Sequence, residues 1–86
     1  MTTKKEDREK EIAEVKKLYD KYIKILPIQT EIVASAKKNN THTKQAIDTM
    51  ESSIFFSRTI LKQLEQDINI MIFSHNKMIE LESKQN

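Results

Sequence analysis

A chain of 86 residues with no cysteine and no glycine cannot be a disulfide scaffold, and it lacks the residue on which tight hairpins and phosphate-cradling loops depend. Fifteen basic and thirteen acidic side chains leave a net charge of +2 with the signs interleaved, which disfavours nucleic acid as a partner. No apolar run approaches the roughly 20 residues of a membrane span, and so short a chain buries a smaller share of its surface than a typical domain.

In chain order, Thr3 followed by Glu6 has the form of a capping box and predicts a helix starting at about residue 4. From there Ile12, Val15, Tyr19, Tyr22, Leu26, Val33 and Ala36 recur at steps of three and four, with Gln29 the polar member of the series. Leu18, Ile25 and Ile32 flank this seam, so the apolar face is wider than a two-stranded coiled coil uses and suits a bundle. Pro27 removes one backbone donor in the middle of the segment, yet the seam keeps its phase across it. The expectation is a kinked continuous helix, the alternative being a break at Leu26 with a new helix starting at Pro27.

Residues 38–43, Lys38-Asn39-Asn40-Thr41-His42-Thr43, are wholly polar and combine a residue that tolerates a left-handed cap with threonines that can cap a second helix. They read as the one turn. Beyond it Ile47, Met50, Ile54, Leu61, Leu64, Ile68, Met71 and Met78 repeat at the same spacing, with Ser57 and His75 as polar members, predicting a helix over about 44–82. The run Ile68-Asn69-Ile70-Met71-Ile72-Phe73 alternates as a strand does, but the seam passes through it in helical phase. The whole, residues 1–86, is therefore expected to be a single all-α domain: an antiparallel hairpin with a first helix over about 4–37, assembling into a helical bundle or coiled coil.

A second apolar stripe lies away from the seam. Phe55 and Phe73 are 18 residues apart, five turns, and point the same way, with Phe56 and Ile70 close beside them. One hairpin seam covers only one face of a helix, so these four are the expected interface residues. The alternative is that the first helix, broken at Pro27, wraps over the stripe.

His42 and His75 fall in the turn and on the seam, too far apart to share a metal, and His75 reads as a hydrogen-bonded seam residue. No glycine-rich loop, cysteine nucleophile or helical His-Glu zinc motif is present, so neither enzyme activity nor any metal or cofactor is expected. The function implied is protein–protein interaction, with itself or another helical protein as partner. A soluble protein is expected, and the lack of cysteine fits the reducing cytoplasm.

In length and hairpin shape the chain resembles the small helical partners of specialised secretion systems, which would imply a chaperone or export partner, although its turn carries no Trp-x-Gly. A small helical inhibitor is a further alternative. The segment Ala46, Ile47, Met50, Glu51, Ser53, Phe55 and Phe56 is similar to a pattern in phage proteins that sequester cyclic nucleotides, with Phe56 where that family carries Trp. That resemblance implies a ligand-binding helical bundle.

Overall fold

The computed structural model describes residues 3–84, which form two helices, α1 (Lys4–Asn39) and α2 (Lys44–Lys84). Each boundary has a local cause. The Thr3 hydroxyl accepts the amide of Glu6 at 3.1 Å, and the Thr43 hydroxyl accepts that of Ala46 at 3.1 Å, so each helix starts with one of its free donors satisfied. Asn40 ends α1 in the left-handed region, φ 54°, which an asparagine tolerates better than most residues, and Lys37 and Lys38 sit in the last turn near the negative end of the dipole. Both helices run about two residues further than the sequence periodicity alone marks.

The helices fold back on each other as an antiparallel hairpin with extents of 67 × 21 × 15 Å. Lys37 pairs with Glu51 beside the turn, and Arg8 pairs with Glu82 at 3.1 Å at the open end. These two contacts set the register, with Val33 level with Ile54, Leu26 with Leu61 and Ile12 with His75. Helix α1 is continuous through Pro27, which excludes the break at Leu26. Pro27 is exposed, so its missing donor lies on the solvent side, where water can serve the Ile23 carbonyl.

Ile12, Val33, Ala36, Ile54 and Leu61 are buried, as are Ser57 and His75. Val15, Tyr19, Tyr22, Leu26, Ile47, Met50, Leu64, Ile68 and Met71 are half-buried along the same seam. Met78 departs from the expectation, being 39% exposed. It lies between His75 and Glu82, whose partners on α1 are Arg8 and Glu9, so the seam opposite it offers no apolar side chain. No described side chain is more than 98% buried, because a two-helix seam is one layer thick and its edges stay open to water.

Candidate functional site

Four side chains tie the open end together. The Arg8 guanidinium donates from Nε to His75 Nδ1 at 3.1 Å and from a terminal nitrogen to Glu82 at 3.1 Å. With Nδ1 accepting, the neutral ring carries its proton on Nε2, which faces Glu9 Oε1 at 3.5 Å. His75 is 9% exposed, so Arg8 satisfies one nitrogen of a polar ring inside the seam and Glu9 lies beside the other. The sequence reading expected His75 to be hydrogen-bonded and missed its partner. Arg8 lies one turn before Ile12 on the same helical face, and continuing the seam back by that turn would have found it. Among the described residues no group of three histidine, aspartate or glutamate side chains converges as a metal site requires.

Gln29 is a different kind of polar seam residue. Its Oε1 is buried and has no hydrogen-bond partner among the described residues, while Ser57, the other polar seam residue near the middle of the hairpin, is among the most buried. Unsatisfied or polar layers in an otherwise apolar seam weaken it while constraining which register the helices adopt.

The four residues of the expected stripe are all on the surface: Phe55 is 72%, Phe56 63%, Ile70 66% and Phe73 65% exposed. Helix α1 does not wrap over them. They border different grooves of the hairpin. Phe55 lines a groove with Thr30, Val33, Ala34 and Arg58, whereas its neighbour Phe56, turned 100° around the helix, lines another with Tyr22, Gln29 and Ser53. Ile70 lines a third groove with Glu11, Ile12 and Ser74. Phe73 points outward, with the Lys77 ammonium 5.7 Å from its ring centre.

The structure adds apolar surface that the stripe omitted. Leu18, Ile28 and Ile32 on α1 are exposed. Leu18, Ile25 and Ile32 lie on one line with Glu11, seven residues apart, and Glu11 shares its groove with Ile70, so this line of α1 and the Phe56–Ile70 line of α2 edge the same flank of the hairpin. The opposite flank carries Lys16, Lys37, Glu51, Arg58 and Glu65. The first flank thus carries more of the exposed apolar side chains, while Ile23 and Phe55 are the exposed apolar members of the second. Among the described residues, no helix is long and apolar enough to cross a membrane.

Comparison of the chain with protein-family models, with curated proteins and with solved structures gives no match.

Proposed function

We propose that this chain is a non-enzymatic helical interaction module, which works by laying its uncovered apolar surface against further helices, in a self-associated bundle or a complex with another helical protein. The observation that carries the reading is the exposure of Phe55, Phe56, Ile70 and Phe73 together with Leu18, Ile28 and Ile32. Monomeric proteins rarely leave large contiguous apolar patches in water, and a one-layer seam leaves this chain few other ways to add to its stability. The polar residues Gln29, Ser57 and His75 fit the same role, since polar positions in helical bundles commonly fix register and partner number. A cytoplasmic location belongs to the same proposal and rests only on the lack of cysteine.

The test is to change Phe56 and Phe73 together to serine. Both side chains point away from the seam, so the helical circular dichroism should persist while association weakens. Truncating a central interface aromatic commonly costs more than about 2 kcal/mol of binding. The mass in solution should fall toward 10.1 kDa at concentrations where the parent chain is associated. A double variant that keeps its helices and its associated mass would show that neither aromatic is part of an interface.

A further inference from the structure

We infer that the apolar flank is the contact with a second copy of this chain, joined by a two-fold axis parallel to the helices so that α1 of each copy lies antiparallel against α2 of the other in a four-helix bundle. The inference rests on the interaction reading above and names its partner. Lys37 and Glu51 are level across the hairpin. Carried along the helices, and to within one residue of the seam levels above, this pairing sets Ile32 level with Phe56, Ile28 with Ile60, Lys21 with Asp67, Leu18 with Ile70 and Glu11 with Lys77. All of these residues occupy the apolar flank: each α1 member is three, four or seven residues from the next in the line Glu11, Leu18, Ile25, Ile28, Ile32, with Lys21 three after Leu18.

Most rungs therefore match in kind. Apolar residues stand level with apolar ones, a lysine with an aspartate, and a glutamate with a lysine; Ile25 with Gln63, Glu14 with Ser74 and Asp7 with Leu81 are the unlike rungs. The hairpin does not use this matching itself, since Leu18, Ile28, Ile32, Phe56 and Ile70 are exposed. Nor does an ion pair close either charged rung within the chain. Asp67 instead accepts the Gln63 amide at 2.9 Å, and Lys77 lies 3.7 Å from Glu80.

A two-fold axis along the helices keeps every level and exchanges α1 for α2. Leu18 then meets Ile70 of the second copy, Ile32 its Phe56, Lys21 its Asp67 and Glu11 its Lys77, each contact made twice. An axis lying in the flank and running across the helices sets α1 over α1 and α2 over α2 with the levels reversed; about Ile25 this places Lys21 over Ile28 and Asp67 over Ile60, burying charges against apolar side chains. Charge complementarity thus selects both the partner and the axis.

The test uses two chains, one carrying Lys21→Glu and the other Asp67→Lys. In a homodimer of either variant, like charges face each other at both rungs, and each should dissociate at about tenfold or higher concentration than the parent. An equimolar mixture should recover the dimer mass, because the Lys21→Glu site of one chain then meets the Asp67→Lys site of the other with opposite charge, and the second rung keeps its original pair. An intrachain effect cannot produce that rescue. If a variant loses its helical circular dichroism, Glu11→Lys mixed with Lys77→Glu asks the same question at the other charged rung. A parent dimer whose variant mixtures associate no better than the single variants overturns this register and leaves the interaction reading standing. A parent chain that is folded and monomeric at 10.1 kDa overturns the homodimer and leaves a different helical protein as the partner in the interaction reading.

Discussion

Leu61→Ala should lower the melting temperature by roughly 10 °C or more, because Leu61 is one of the few buried side chains and is level with Leu26 in the middle of the hairpin. Buried leucine-to-alanine changes cost about 2–5 kcal/mol, the larger values belonging to sites that cannot collapse. A seam one layer thick lets water and neighbouring side chains enter the space, which places Leu61→Ala at about 2–3 kcal/mol. That is still a large fraction of the roughly 5–15 kcal/mol that holds a typical domain together. Leu64, three residues on and only half-buried, should cost less. Thermal melts followed by circular dichroism measure both, and a Leu61→Ala chain as stable as its parent would remove the central seam from the account.

Pro27→Ala should stabilise the chain by roughly 2 kcal/mol. A proline inside a helix costs about 3 kcal/mol relative to alanine, of which up to about 1 kcal/mol is offset because proline also restricts the unfolded chain. Helix α1 runs unbroken through Pro27, whose ring faces solvent, so the substitution restores a donor to the Ile23 carbonyl without removing any seam contact. The Thr30 hydroxyl, which donates to the Leu26 carbonyl at 3.0 Å beside it, adds a second reason for local bending. A bend there would open on the solvent side and carry both halves of α1 toward α2. If the alanine chain melts lower or associates differently, that bend is needed for assembly.

The seam was legible in the sequence from Ile12 to Ala36 and from Ile47 to His75, because the three-four spacing is a property of one helix and needs no knowledge of the other. Met78 keeps that spacing and is still exposed, since its burial depends on what α1 supplies at its level, and there α1 supplies Arg8 and Glu9. The Arg8–His75 contact joins residues 67 apart in sequence, and only the register of the folded hairpin brings them together.

The four residues of the stripe all stay exposed, but they border different parts of the hairpin for a related reason. On α2 alone, Phe55, Phe56, Ile70 and Phe73 share one half of the helix circumference. Once α1 lies alongside, that half divides into two flanks and an outer edge: Phe55 goes with Arg58, Phe56 and Ile70 join the apolar flank, and Phe73 stands outside under Lys77. Leu18, Ile25 and Ile32 were visible as flanking residues, but their continuity with Phe56 and Ile70 required the direction in which the two helices meet.

The measurement that bears most directly on the central claim, that these uncovered faces meet those of a second copy, is the mass of the unmodified chain in solution across a hundredfold range of concentration, by sedimentation equilibrium. The account predicts a concentration-dependent species of twice 10.1 kDa, melting at higher temperature as concentration rises, because binding that favours the folded chain stabilises it by mass action. A folded chain of 10.1 kDa at every concentration, with a melting temperature independent of concentration, would contradict it.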